Sequence, residues 1–303
     1  MKPYCRPFEN SRLIEHFVKN VLEITDPNEC RKAINRIINA ELQNSSINGK
    51  VTLLYDDFRE LKYKSEESRQ LLRKRIFEEL ISKERLLDDD KIKLGLGGAL
   101  PYGGKVQDKK QAYIVIGLPA SGKSSITSTI SDHYGAIILD SDFAKRKLPE
   151  YRTTNIGASL VHDESNLVVF GSRSNEYNML EYCSGLNYNI VIPKIGHDVD
   201  DILDFSETLK KDWKYDIHLT LVSLDRKKAT IRAYNRFAKT KRYVPLNLIF
   251  DWYSNEPILA YYRIRNNELF SSYGKISTDV PFGDPYVFIE ARDSSNPAIL
   301  FNK

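Results

Sequence analysis

Gly117-Leu-Pro-Ala-Ser-Gly-Lys-Ser124 is a complete phosphate-binding loop pattern, a turn framed by two glycines and closed by a lysine and a hydroxyl. The residues ahead of it, Gln111-Ala-Tyr-Ile-Val-Ile116, are apolar and β-branched, as a buried parallel strand requires. Behind it, Ile126 and Ile130 fall four apart, on one face of a helix. Strand, glycine-rich turn and helix N-terminus form a cradle in which backbone N–H groups and the helix dipole favour phosphate. The loop Gly117, Leu118, Pro119, Ala120, Ser121, Gly122, Lys123, Ser124 and Ser125 is therefore expected to hold a nucleoside triphosphate. Lys123 is expected on its β and γ phosphates, and the Ser124 hydroxyl on Mg²⁺.

Outward from this loop the chain alternates strand and helix patterns, which predicts an α/β fold with a doubly wound parallel sheet of the P-loop kinase type. Strands are expected at Tyr113–Ile116, Ala136–Leu139, Asn189–Ile192 and Ile217–Leu224, and near the end at Tyr286–Ala291. Helices are expected at Lys123–His133, Arg173–Tyr182, Val199–Lys211 and Arg226–Ala238. The first hundred residues read differently, as an N-terminal helical region. Leu13, Phe17, Val21 and Leu22 recur at helical spacing, as do Ala33, Ile34, Ile37, Ile38 and Leu42. A third helix is expected from about Ser65 to Leu87, with an apolar stripe of Leu71, Leu72, Ile76, Leu80 and Ile81. The glycine-rich stretch Leu94–Lys105 reads as a connector, dividing a helical region 1–104 from a kinase domain 105–303. The helices suit a bundle packed on the kinase core, a partner surface or an inhibitory element.

Charge and composition narrow the classes of partner. Across 303 residues, 45 basic side chains face 41 acidic ones, a net +4 that is too small to point to nucleic acid. No apolar run approaches the roughly twenty residues that span a bilayer, and Met1–Asn10 lacks the apolar core of a secretion signal. Cys5, Cys30 and Cys183 are far apart, so neither a disulfide framework nor a zinc site is expected. A cytoplasmic setting follows, and a protein delivered into a host or competitor cell would carry the same signature.

A phosphate loop alone does not separate a kinase from a switch. No guanine-reading N-K-x-D is present, and the second strand ends Leu139-Asp-Ser-Asp-Phe143 rather than in the Asp-Glu of motor ATPases. Ligands of open α/β sheets bind at the carboxyl ends of strands. Asp142 is thus placed to orient or deprotonate an acceptor hydroxyl, and Asp140 to support Mg²⁺. Either also suits the N-cap of the next helix. Arg232 and Arg236 share a helix face, and Arg242 follows in a loop stopped by Pro245, as in a lid that closes guanidinium groups on a transferring phosphate. Val161-His-Asp-Glu-Ser165 offers His162, Glu164 and Ser165 to a polar substrate, although adjacent helical residues fan apart. Lys194 and His197 lie just past the third strand.

Together the loop, the Asp-Ser-Asp and the Arg-Phe and Arg-x-x-Pro lid resemble the zeta toxin family of kinases, from about Ala112 to Pro245. The resemblance implies an ATP- and Mg²⁺-dependent kinase that phosphorylates the 3′-hydroxyl of UDP-N-acetylglucosamine, often neutralised by an antitoxin. It implies that Lys123 and Ser124 bind ATP and metal, that Asp142 is the catalytic aspartate, and that Arg236 and Arg242 are the lid arginines. One departure stands out. Those toxins carry Glu-Gly-Thr-Gly after the third strand, where this chain has Pro193-Lys-Ile-Gly196, and proline cannot replace a carboxylate. A broader branch includes an effector that phosphorylates the adenosine ribose of NAD, so NAD is a rival nucleotide-linked acceptor. A non-catalytic, ATP-dependent switch is a third reading.

Overall fold

The computed structural model describes residues 4, 8, 10–47, 49–171, 177–281 and 283–302. Its centre is Gln111–Ile116 (β1), whose residues after the first are all buried. It lies parallel to both Ile190–Lys194 (β3) and Asp216–Ser223 (β4), with Ile114 opposite Ile192 and Leu219. With Ile137–Ile138 (β2), Phe270–Ser277 (β5) and Val287–Ala291 (β6), the sheet among the described residues runs β2-β3-β1-β4-β5-β6. Only the β5–β6 pair is antiparallel. The chain order reverses direction beside β1, the position at which open sheets form a crevice.

Strands β1 to β4 and β6 arise where the apolar patterns predict them. Strand β5 was not anticipated. Its sequence, Phe-Ser-Ser-Tyr-Gly-Lys-Ile-Ser, alternates buried with less buried positions but carries a serine and a glycine on its buried face.

Eleven α-helices are described: α1 Ser11–Asn20, α2 Pro27–Ile47, α3 Glu66–Ser82, α4 Lys123–Tyr134, α5 Ser141–Lys147, α6 Gly157–Leu160, α7 His162–Phe170, α8 Met179–Gly185, α9 Val199–Lys211, α10 Arg226–Thr240 and α11 Glu256–Ile264. The helix expected at Arg173–Tyr182 begins instead at Met179, capped by Asn178, and residues 173–176 of it lie outside the described residues. Asp225 caps α10 by accepting from the backbone of Lys227 and Lys228.

The N-terminal helices do not form a separate bundle. Phe17 of α1 and Ala33 and Ile37 of α2 share a core with Ala233 and Phe237 of α10. Leu72, Ile76 and Leu80 of α3 join the core of the sheet itself. Of the expected stripes, Leu42 and Leu71 are exposed. The face of α3 that is buried also carries Arg69, Arg73 and Glu79, and this turns Leu71 outward.

The glycine-rich stretch is held against its neighbours by backbone hydrogen bonds. Gly98, Ala99 and Leu100 donate to the backbone of Glu84, Leu80 and Lys83, and Ala99 accepts from Ile138 of β2. A Cβ on Gly98 would stand 2.0 Å from the Lys83 carbonyl oxygen. The glycine here permits backbone contact rather than motion.

Candidate active site

Strand β1 ends at Ile116 and α4 begins at Lys123, so the turn between them opens at the carboxyl edge of the sheet. Neighbouring strands hold it: Gly117 N–H donates to Ile195 O at 3.1 Å, and the Thr278 hydroxyl after β5 donates to Ser121 O at 2.6 Å. A Cβ on Gly117 would meet Val222 O of β4 at 2.5 Å, so the first glycine is required by close approach. Gly122 takes the left-handed conformation that turns the chain into α4. Lys123 Nζ lies across the turn, donating to Gly117 O at 2.6 Å and Leu118 O at 2.7 Å. Burial pushes its pKa down to about 8, against the opposing pull of Asp140 and Asp142. Ser124 and Ser125 are exposed in the first turn of α4.

Just after β2, Asp140 caps α5, its Oδ1 accepting from Asp142 N–H at 2.9 Å. The capping reading therefore holds for Asp140, whose second oxygen is not used by the cap. Asp142 keeps about half its side chain exposed and accepts from Lys145 Nζ at 2.8 Å. Burial and the neighbouring Asp142 charge raise the Asp140 pKa. Desolvation acts on Asp142 too, but Lys145, Arg146 and Arg236 outweigh it and hold Asp142 below the usual carboxylate range.

Arg236 projects from α10 toward the same point. Burial and the Arg242 charge lower its pKa while Asp142 opposes them, and its buried Nε has no hydrogen-bond partner. Arg242 follows the left-handed Lys241 that ends α10. Its Nη1 donates to the Tyr151 hydroxyl at 2.6 Å and its Nη2 to Asp90 Oδ1 at 2.5 Å. Arg232 instead reaches the carbonyl of Thr278 at 2.8 Å, the residue whose hydroxyl holds Ser121 in the turn.

The Val161–Ser165 stretch divides. His162 is exposed and lies 3.1 Å from Asn166 Nδ2, and the Asn166 Oδ1 accepts from the hydroxyl of Ser141, the residue between Asp140 and Asp142. Glu164 and Ser165 do not. Glu164 is fully buried, receiving Arg69 Nε at 2.7 Å, Arg69 Nη2 at 2.6 Å, Arg73 Nη1 at 3.1 Å and the Thr52 hydroxyl at 2.7 Å. Ser165 is equally buried and donates to His162 O at 2.6 Å. The expectation that both meet substrate is corrected: the helix turns them inward, where Glu164 ties α7 to α3. Lys194 ends β3 beside Ile116 but pairs with Asp201 at 3.3 Å over the Phe205 ring. His197 packs edge-on against Tyr253, with ring centroids 4.8 Å apart.

Lys145, Tyr151 and Asp90 were missed by sequence reasoning. Lys145, three residues after Asp142 on a helix, could have been found from i, i+3 spacing. Tyr151 and Asp90 carry no local signal.

The donor chemistry suits a nucleotide phosphate. Ser121 Oγ and Arg236 Nε are buried polar atoms without partners, at a turn rimmed by helix N–H groups and a lysine. No group of three or more His, Cys, Asp or Glu that could hold a metal ion occurs among the described residues. Ser124 and Asp140 fit Mg²⁺, which takes one or two protein oxygens and fills its octahedron from phosphate and water.

The pattern of the zeta toxin family matches residues 103–257. Among solved structures, a protein of the PezAT chromosomal toxin–antitoxin system of Streptococcus pneumoniae is similar at 16% identity and TM-score 0.48, over 66% of this chain and 79% of that one. The AvrRxo1-ORF1:-ORF2 complex is similar at 16% identity and TM-score 0.47, over 75% of this chain and 68% of that one. No curated protein matches the sequence. No helix among the described residues is long and apolar enough to cross a membrane. The match over residues 103–257 takes in the β1 turn, Asp140, Asp142, Arg236 and Arg242, more than half of the chain, and the chain belongs to the zeta toxin family.

Proposed function

We propose that the chain is an ATP- and Mg²⁺-dependent phosphotransferase acting on a hydroxyl of a nucleotide-linked small molecule. The observation that supports this reading is the glycine turn between β1 and α4, with Lys123 lying across it, at the same carboxyl edge of the sheet where Asp140 and Asp142 follow β2. Bound ATP with Mg²⁺ supplies the transferable γ-phosphoryl group and offsets its charge. The loop 117–125 and Lys123 hold the β and γ phosphates, with Ser124 and Asp140 on the metal side. Asp142, kept ionised by Lys145, accepts a hydrogen bond from the acceptor hydroxyl and aligns its oxygen. As that oxygen bonds to the γ-phosphorus, the bond to the β–γ bridging oxygen breaks and ADP departs. The hydroxyl proton passes to Asp142 and on to solvent. Arg236, with an Nε not engaged elsewhere, and Arg242 neutralise the charge on the transferring group.

UDP-N-acetylglucosamine is the first acceptor we assign, with the protein acting as a toxin in the cytoplasm of the cell it poisons. NAD is the second, favoured by Pro193 at the end of β3, where no carboxylate can be presented. Family membership supports an antitoxin as protein partner. The test is incubation with ATP and Mg²⁺ beside each acceptor, followed by mass spectrometry. A gain of one phosphate on UDP-N-acetylglucosamine supports the first reading, and a gain on NAD the second. Tight ATP binding without any product would replace the transferase by an ATP-dependent switch.

A further inference from the structure

A cleft of about 610 Å³ opens between the N-terminal region and the end of the lid helix. That is the size of a site for a nucleotide or sugar nucleotide. Tyr151, Arg152, Asn155, Lys241 and Arg242 line it, together with Gln43 of α2 and Asp90. Its inner end reaches the residues described above. The Tyr151 hydroxyl, which accepts from Arg242, stands near both Lys145 and Arg236, the two cations that flank Asp142.

The charge of this cleft is one-sided. Its carboxylate, Asp90, already receives Arg242 at 2.5 Å and has Arg146 at 3.6 Å. Arg152 and Lys241 are left facing the space without an acidic counterpart among the lining residues. Arg152 is aimed, not loose: its Nη2 donates to Ile92 O at 2.9 Å and Asp90 O at 3.2 Å. Gln43, Asn155 and neighbouring threonines add neutral donors and acceptors. Arg152, held by two carbonyls, and the exposed Lys241 beside it, surrounded by amides and hydroxyls, match a diphosphate flanked by sugar and base.

We propose that this cleft is the acceptor site, that it selects a diphosphate-bearing metabolite through Arg152 and Lys241, and that the N-terminal region forms one of its walls. The proposal rests on the phosphotransferase reading for its chemistry. A phosphate anchored on Arg152 and Lys241 leaves the far end of the ligand to pass Tyr151 and present a hydroxyl at Asp142. On this account the first hundred residues complete the substrate site rather than decorate it.

The experiment compares wild type, the double variant Arg152→Ala with Lys241→Ala, and Thr154→Trp, which fills the cleft from an exposed position. Thermal unfolding checks that each is folded. For whichever of UDP-N-acetylglucosamine and NAD accepts phosphate, both variants should raise the acceptor KM at least tenfold while the ATP KM stays within twofold. An unchanged acceptor KM, or equal rises for both substrates, overturns the proposal. Calorimetric binding of the same two molecules to Lys123→Ala protein separates this claim from the reading beneath it. Binding that survives Lys123→Ala but disappears on adding either cleft change supports the site even if no phosphate is transferred, and then only the transferase reading falls. No binding, or binding indifferent to the cleft changes, overturns the site.

Discussion

The hydroxyl of Tyr243, in the loop that follows the lid helix, donates to the Glu41 carboxylate on α2, and both side chains are buried. Burial, with the Glu41 charge, raises the Tyr243 pKa, so the phenol stays a donor throughout the neutral range. The loop after α10 is thus fastened from the N-terminal region at two adjacent residues, Arg242 on Asp90 and Tyr243 on Glu41. Tyr243→Phe keeps the ring but removes a donor to a buried carboxylate, and should cost about 1–3 kcal/mol in urea unfolding. Its turnover should fall as well, because Arg242 loses its fixed neighbour. Unchanged stability and turnover would show that the loop is held elsewhere.

Lys123→Ala and Asp142→Asn should each lower phosphoryl transfer by a factor on the order of 10² to 10⁴, the range for losing a positioned proton acceptor or a charge stabiliser. Neither should change the far-ultraviolet circular dichroism, since Asp142 is half exposed and Lys123 bonds only loop carbonyls. A fully active Asp142→Asn protein would remove the carboxylate from the mechanism.

ATP affinity should weaken as pH rises past about 8, where burial has placed the Lys123 pKa in the unliganded protein. Bound phosphate favours the charged lysine, so the complex has the higher pKa and binding takes up a proton between the two values. Calorimetry at pH 8.5 in buffers of different ionisation enthalpy reads that uptake directly. A buffer-independent heat would contradict it.

Glu164→Ala should destabilise the protein by about 3–5 kcal/mol, because it leaves buried Arg69 and Arg73 facing an empty position. Desolvation alone would raise the Glu164 pKa, but Arg69, Thr52 and Arg73 lower it overall. A carboxyl with a depressed folded pKa contributes stability above its unfolded value, near 4.3, and loses it as pH falls through the folded one. The wild type should therefore lose stability in denaturant titrations below about pH 4, and Glu164→Ala should show less of that acid loss. A parallel pH dependence in both would place the acid sensitivity in other groups.

Much of the site was legible because it is local. A strand, two glycines, a lysine and a serine specify the turn through backbone conformations and hydrogen bonds spanning only a few residues, and helical spacing alone brings Arg236 to one face of α10. Strands β1 and β3 were readable for the same reason, as apolar runs of a buried parallel sheet, and β4 through the alternation of Ile217, Leu219 and Leu221. Strand β5 was not, because its serines and glycine meet their partners only across the sheet, as where Ser272 bonds His218 and Asn296. Glu164 could be read as a ligand residue from its neighbours in sequence. What turned it into a structural ion pair is Arg69, 95 positions away and visible only once α3 packs on α7. Asp90 likewise reaches Arg242 across 152 positions. The sequence by itself determined where phosphate chemistry is carried, since that depends on the short-range geometry of one turn and its helix. Tertiary structure alone decided which polar side chains face the site and which brace it, because burying a charge requires a partner that no local pattern can name.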